Sequence, residues 1–142
     1  MIDEKLTIAD YPLAERRPHS VKSAKGMPLD DFTLEALADG RATMEDLRTT
    51  PEALLRQASI ARHAGREKLA ANFERAAEMT AIPQKVIMEY YEMLRPGRVR
   101  EKQALLTAAR RLRDDYHAHR MATFVEEAAE VYERRGLFKF RF

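Results

Sequence analysis

The 38 residues from Arg98 to Arg135 contain neither proline nor glycine, and this stretch constrains the fold more than any other part of the chain. Apolar residues recur along it every three or four positions, which is the spacing of one helix face. A continuous helix of this length would extend about 57 Å. A compact chain of this size is only about 37 Å across. We therefore predict either a break between Asp114 and His119 or an elongated protein that packs on another molecule.

Helix-start signals also occur upstream of this stretch. Thr33 is predicted to cap a short helix, and Thr43 and Asp46 have the spacing of a capping box. Thr50 and Pro51 have the cap and first-position residues of a longer helix. Two further helical stripes comprise Leu69, Phe73, Ala76, Ala77, Val86, Ile87, Tyr90, Tyr91 and Leu94. The predicted fold class is all-α, with a long C-terminal helix or a helix pair.

Residues 1–31 differ in composition from the rest of the chain. They contain Pro12, Pro18, Gly26 and Pro28 and show no sustained apolar periodicity. We interpret them as an extended N-terminal arm, with or without short turns, that lies on the surface. Residues 32–142 are predicted to form a single helical domain.

The composition excludes several classes of function. The chain has no cysteine, so it can form no disulfide, thiolate metal site or cysteine nucleophile. No two of its five glycines lie closer than 14 positions, which excludes a Rossmann fingerprint and a P-loop. No apolar run is long enough to span a bilayer, and the first residues lack a signal-peptide layout. We expect a cytoplasmic protein that does not enter a membrane.

The titratable residues give no complete catalytic or metal-binding pattern. His117 and His119 are two positions apart, which places them on different sides of a helix. Asp114 and His117 have the spacing of a di-iron ligand pair, but no second pair exists. We therefore predict no catalytic, cofactor-binding or metal-binding residue in this chain.

The C-terminal third is basic, with 11 basic against 7 acidic residues in positions 96–142. Within it, Arg110 and Arg111 are each followed four residues later by an aspartate, so this part of the helix neutralises its own charge. No aromatic residues are placed there for base stacking. A helix that faces solvent or a protein partner is favoured, and no nucleic-acid binding is expected. The alternative is an independent helical adaptor or nucleic-acid-binding module that uses this basic third.

Several short segments in order along the chain resemble the small (gamma) subunit of adenosylcobalamin-dependent diol or glycerol dehydratases. The resemblance covers the chain from about Tyr11 to Arg135. The segments are Tyr11–Ala14, Gly26–Leu29, Thr33–Glu35, Asp46–Arg48, Phe73–Glu78, Ile82–Pro83, Leu94–Pro96 and Phe124–Tyr132. No single segment identifies the family, but their order and spacing together do.

The resemblance implies a structural role in a larger enzyme. In that family the large subunit is a barrel that holds substrate and a metal ion, and adenosylcobalamin lies between the large and medium subunits. The enzyme is a lyase that dehydrates glycerol or propane-1,2-diol to an aldehyde by radical chemistry. The small subunit completes a heterohexamer and is expected to be inactive alone. The short stretch before Tyr11 favours glycerol over propane-1,2-diol, and packaging into a bacterial microcompartment stays open.

The resemblance also directs attention to surfaces that would contact the large subunit. We expect contacts from Tyr11, Leu13 and Arg16 in the N-terminal arm. A second candidate surface is the stripe that contains Tyr90 and Arg95. The phenylalanine-rich tail, Phe138–Phe142, is not part of the family pattern, and both docking and disorder are compatible with its sequence.

Overall fold

A computed structural model of the chain describes residues 5–139. Over these residues the structure contains α-helices and short 3₁₀ helices but no strand, which confirms the all-α fold class. None of the described helices is long and apolar enough to cross a membrane. The α-helices are α1 (Leu13–Arg16), α2 (Leu34–Ala38), α3 (Pro51–His63), α4 (Glu67–Met79), α5 (Gln84–Met93), α6 (Lys102–Tyr116) and α7 (His119–Arg134).

The predicted helix caps are confirmed. The Thr33 side chain accepts a hydrogen bond from the Ala36 N–H at 3.1 Å and caps α2. The Thr50 side chain accepts one from the Ala53 N–H at 3.2 Å and caps α3, which begins at Pro51. These caps satisfy backbone donors that a helix N-terminus leaves without partners.

The long C-terminal stretch forms a helix pair, with its break inside the predicted interval. His117 adopts a left-handed backbone conformation with φ of 54°, and α7 begins two residues later. The Ala118 N–H donates to the Leu112 carbonyl at 2.9 Å and closes the end of α6. Because Lys102 pairs with Glu133 and Arg113 pairs with Glu126, α6 and α7 lie antiparallel.

Contacts along the chain group it into two compact units, Met1–Ala77 and Glu78–Phe142. In the second unit, α5, α6 and α7 share a continuous core. Its buried side chains include Ile82, Val86, Leu105, Leu112 and Val125. The predicted domain division at residue 31 stays a prediction.

The extended N-terminal arm is not confirmed. Residues 5–31 form three 3₁₀ helices, Ile8–Asp10, Pro18–Ser20 and Leu29–Asp31, together with α1. Leu6 and Leu13 are buried with Ile60 of α3 in the core of the first unit. The prolines prevent a long helix here, but they permit single turns whose apolar side chains reach that core.

The predicted tail lies partly outside the described residues, which end at Lys139. Within them, the Leu137 N–H donates to the Tyr132 carbonyl at 2.9 Å. The Phe138 ring packs against the Tyr132 ring, with centroids 6.1 Å apart. The chain therefore folds back onto α7 at least as far as Phe138.

Candidate subunit interface

Exposed apolar side chains are concentrated in the first unit. Of twelve large apolar residues that are exposed within residues 5–139, nine belong to this unit. Contiguous exposed apolar surface is typical of protein–protein contact sites, and three of these residues, Ile8, Tyr11 and Leu69, line one common groove. The nine residues are Ile8, Tyr11, Leu29, Leu34, Leu37, Met44, Leu47, Leu55 and Leu69.

One groove of the first unit, which we call the larger groove, lies between the N-terminal segment and helices α3 and α4. It encloses about 460 Å³, and Ile60, Ala61 and Phe73 are among its lining residues. Ile8, Tyr11 and Leu69 also line it and are exposed, so they form its accessible edge. Arg66 adds a positive charge to this apolar lining.

The edge of this groove is fixed by Asp10. Its carboxylate accepts hydrogen bonds from the Thr7 N–H at 2.8 Å and from Arg17 Nε at 2.8 Å. The hydrogen bond from the Thr7 backbone is the largest influence that lowers the pKa of Asp10. The Ile8 N–H also donates to His63 Nδ1 at 3.3 Å, which ties this segment to the end of α3.

A smaller groove of about 260 Å³ lies between residues 21–32 and residues 46–53 of the first unit. Leu29, Phe32 and Leu47 contribute apolar surface to it, and Asp46 lies at its base. The Asp46 carboxylate is fully buried, and it accepts hydrogen bonds from the Ser23 hydroxyl at 2.8 Å and the Thr43 N–H at 3.0 Å.

The Asp46 carboxylate also pairs with Lys25 Nζ at 3.3 Å. The hydrogen bond from the Ser23 hydroxyl is the main cause that lowers the pKa of Asp46 to about 2, against the opposing effect of burial. Asp46 is therefore ionised at neutral pH and joins the turn at residues 23–25 to the 3₁₀ helix Met44–Leu47.

The three residues predicted in the N-terminal segment occupy different environments. Tyr11 is 58% exposed and lines the larger groove. Leu13 is buried against Leu6 and Ile60, so it can act at an interface only by positioning the backbone beside Tyr11. Arg16 is exposed at the end of α1 and has no ion pair within residues 5–139. Contact of these residues with another subunit stays a prediction.

The two residues predicted on α5 also differ. Tyr90 is buried, and its hydroxyl donates to the Ala108 carbonyl at 3.0 Å. Arg95 is exposed just beyond the end of α5 and pairs with Glu92 at 3.0 Å. The exposed tyrosine of this helix is the neighbouring Tyr91, at 59% exposure. Because Tyr90 faces the core, the large apolar residues exposed on α5 are Met88 and Tyr91, and the charged Arg95 lies just beyond its end.

Sequence reasoning missed the most exposed apolar residues, Leu34 and Met44, which are 81% and 74% exposed. Each begins a helix of only four or five residues. Leu37 and Leu47 follow them at i, i+3, so each pair shares a helix face. The sequence did contain a signal for them, because each apolar pair directly follows a capping threonine, Thr33 or Thr43, on a predicted short helix.

The basic C-terminal stretch is paired in part: Arg111 and Arg113 form ion pairs, whereas within residues 5–139 Arg110 forms no ion pair with Asp114. Arg111 lies 3.6 Å from Asp115, as the i, i+4 spacing predicts, and 3.5 Å from Glu89. Arg113 forms a two-bond pair with Glu126 at 2.8 and 3.0 Å, and hydrogen bonds between these two side chains are the main cause of the lowered pKa of Glu126. Nothing here supports nucleic-acid binding. Within residues 5–139, no three His, Asp or Glu side chains lie together as a metal site.

An all-α fold with capped short turns and two grooves of apolar lining defines the class of protein as a helical protein with exposed apolar surface. Comparison with known proteins makes the class specific. The family described as "Dehydratase small subunit" matches residues 6–139. The chain belongs to this family, which confirms the resemblance.

Two relatives cover most of this chain. The propanediol dehydratase small subunit of Salmonella typhimurium (strain LT2) is 50% identical over 132 residues. The propanediol dehydratase small subunit of Citrobacter freundii is 48% identical over the same length. In both comparisons the match covers 93% of this chain and 76% of the relative. A small subunit implies further subunits, and it is not the catalytic one.

Proposed function

We propose that this chain is the non-catalytic structural small subunit of an adenosylcobalamin-dependent dehydratase that converts a 1,2-diol to an aldehyde. The observation that carries the proposal is family membership over residues 6–139, together with relatives named propanediol dehydratase small subunits. The proposed substrates are propane-1,2-diol and glycerol. The proposed partners are a large and a medium subunit in a heterohexamer, located in the cytoplasm or in a protein-shelled microcompartment.

The cofactor belongs to the partner subunits in this proposal. When bound there, adenosylcobalamin supplies the radical that starts the dehydration. The described residues of this chain hold no cluster of metal ligands, and the chain has no cysteine. In this proposal its own residues act by binding the partner subunits and shaping the assembly.

The apolar surface of the first unit supports a docking role. Removing apolar surface from water contributes about 25 cal/mol for each Å² that is buried. The larger groove combines this apolar surface with Arg66, so it suits an apolar side chain that is followed by a carboxylate. We propose that Tyr11 contacts the large subunit at this groove and that Arg16 contacts it from the exposed end of α1, with Leu13 holding the backbone.

The exposed side of α5 is proposed as a second contact. Met88 and Tyr91 offer apolar area, and Arg95 adds a charge at the helix end. Tyr90 anchors this helix from the inside through its bond to the Ala108 carbonyl. A basic rim residue contributes more to the rate of encounter than to affinity.

The experiment is reconstitution of activity from separate chains. We would supply adenosylcobalamin and either diol, and measure aldehyde release with this chain alone, with the large and medium subunits alone, and with all three. The proposal predicts no activity for this chain alone and full activity only for the three together. Activity in this chain alone, or full activity without it, would contradict the proposal.

A further inference from the structure

A five-residue pattern occurs twice in the first unit. It consists of threonine, an apolar residue, any residue, aspartate and a second apolar residue. The two copies are Thr7-Ile8-Ala9-Asp10-Tyr11 and Thr43-Met44-Glu45-Asp46-Leu47. We call them the two Thr–Asp motifs.

The two motifs fold in the same way. Each forms a single 3₁₀ turn, Ile8–Asp10 in one copy and Met44–Leu47 in the other. In both, the aspartate carboxylate accepts hydrogen bonds from the backbone N–H and the hydroxyl of its threonine, with all four distances between 2.8 and 3.1 Å. The repeated pattern therefore gives a repeated local structure.

Each aspartate is also held by side chains from a different part of the chain. Asp10 accepts from Arg17 Nε at 2.8 Å, and Asp46 accepts from Ser23 and Lys25. Both carboxylates are buried, and a buried charge is retained only when it is paired and hydrogen-bonded. Each aspartate therefore links its own turn, through the threonine, to a second segment of the chain.

The apolar residues of the motifs face outwards. Ile8, Tyr11, Met44 and Leu47 are each more than half exposed. Ile8 and Tyr11 line the larger groove, and Leu47 lines the smaller one. Two buried, paired carboxylates therefore hold apolar side chains in water instead of placing them in the core.

A single turn has little stability of its own, since helix nucleation is unfavourable. Without the aspartate, each apolar pair would sample many positions and would lose that freedom on association. Holding the pair in one geometry before binding removes this cost. Pre-organisation thus explains why such strong local hydrogen bonding supports side chains that are more than half exposed.

We propose that Asp10 and Asp46 are positioning residues for subunit assembly. Each locks one turn so that apolar side chains of that turn, Ile8 and Tyr11 in one copy and Leu47 in the other, form a rigid wall of a groove. The occupant of each groove is an apolar side chain of another dehydratase subunit, so this inference rests on the proposed function. Charge complementarity favours an acidic neighbour on the segment that enters the larger groove, because Arg66 lies there.

The test compares Asp10→Ala and Asp46→Ala with Glu74→Gln in the full chain. Glu74 is also a buried carboxylate of the first unit, paired with Arg62 at 2.7 Å, but it belongs to neither motif. Two quantities are measured: affinity for the co-purified large and medium subunits, and amide hydrogen exchange of the chain alone. Asp46→Asn keeps one acceptor oxygen and serves as the conservative variant.

We expect each Asp→Ala variant to weaken assembly about tenfold or more, with faster exchange at residues 7–11 or 43–47 and unchanged exchange in α6 and α7. Asp46→Asn should recover part of the affinity. Glu74→Gln should change the affinity for the other subunits less than about twofold, even if it lowers the thermal unfolding midpoint as much as the Asp→Ala substitutions do.

Two results would overturn the inference: wild-type affinity in both Asp→Ala variants, or an equal loss in Glu74→Gln. If the wild-type chain itself does not assemble with the other subunits, the proposed function fails and this inference fails with it. If the wild type assembles and the aspartate variants bind with the same affinity, only the positioning role of Asp10 and Asp46 is refuted, and the proposed function stands.

Discussion

Tyr11 and Tyr91 are almost equally exposed, at 58% and 59%, but their surroundings differ. Tyr11 borders a groove and lies next to the locked Asp10 turn, whereas Tyr91 lies on the open face of α5. Large aromatic residues that fill or border pockets carry most of the energy of an interface. Equal exposure of the two tyrosines therefore does not imply that they contribute equally to the binding free energy.

We predict that Tyr11→Ala weakens binding to the other subunits by about 2 kcal/mol or more, while the matched Tyr91→Ala costs about half as much or less. Isothermal titration or a surface-binding assay with the co-purified large and medium subunits would measure both. Circular dichroism would verify that each variant is folded. Unchanged affinity in Tyr11→Ala would remove this residue from the interface.

Asp46 makes the stability of the first unit depend on pH in the acidic range. Its pKa is lowered from 3.8 to about 2 in the folded chain, mainly by the Ser23 hydroxyl. A group whose folded pKa is depressed contributes stability above its unfolded pKa and loses it as pH falls towards the folded value. The contribution of Asp46 is therefore present above about pH 4 and is lost towards pH 2.

The expected result is that the difference in unfolding free energy between the wild type and Asp46→Asn is largest at pH 5 and shrinks as pH falls from about 4 to 2. Urea unfolding at a series of pH values measures this difference. A difference that stays constant over this range would mean that the Asp46 charge does not stabilise the fold.

At the scale of helices, Glu78 at the end of α4 caps the start of α7. Its two carboxylate oxygens accept from the Arg120 and Met121 N–H groups at 3.0 and 2.9 Å. These are donors that the first turn of α7 leaves without partners, and a negative charge is favourable there. A residue 42 positions away thus performs the capping that the preceding Ala118 cannot perform.

Glu78→Ala should lower the free energy of unfolding of the second unit by about 1–2 kcal/mol. Glu127→Ala, an exposed acid within α7, is the control and should change it by less than about 0.5 kcal/mol. Hydrogen exchange of α7 in the full chain would measure both. Equal effects of the two substitutions would show that the cap is not important for stability.

The break between α6 and α7 depends on His117, whose left-handed conformation is unfavourable for a side chain with a Cβ atom. Glycine adopts this conformation without that penalty. We expect His117→Gly to raise the unfolding free energy by about 0.5–1 kcal/mol, after the entropy cost of glycine is subtracted. Arg110→Gly, at an exposed position inside α6, should instead destabilise by about 0.8 kcal/mol, because arginine is a good helix former and glycine a poor one. Thermal unfolding would compare them, and destabilisation by His117→Gly would refute the strain at this position.

At the scale of the whole molecule, the features that depend on local sequence were the ones that could be predicted. Caps at Thr33 and Thr50 and the interval containing the break at His117 follow from neighbouring residues or from length, and the structure confirms them. The N-terminal segment could not be assigned in the same way. Its single turns are fixed by long-range contacts, such as the packing of Leu13 on Ile60.

The candidate site was predictable only in part, for the same physical reason. Helical periodicity places Tyr90 and Tyr91 side by side, but only tertiary packing decides that Tyr90 is buried and Tyr91 exposed. The bond from Arg17 to Asp10 joins residues seven positions apart, and the bond from Ser23 to Asp46 joins residues 23 apart. No local pattern specifies such pairs, so the grooves that they support emerged only from the structure.

The most direct test of the account is native mass spectrometry of this chain co-expressed with large and medium dehydratase subunits. If this chain is the structural small subunit, we expect one complex that contains all three chains, with this chain present in equal number to the large subunit. We also expect that complex to be lost when Tyr11 and the two aspartates Asp10 and Asp46 are replaced together by alanine. A stable monomer of this chain beside a complete complex of the other two would contradict the account.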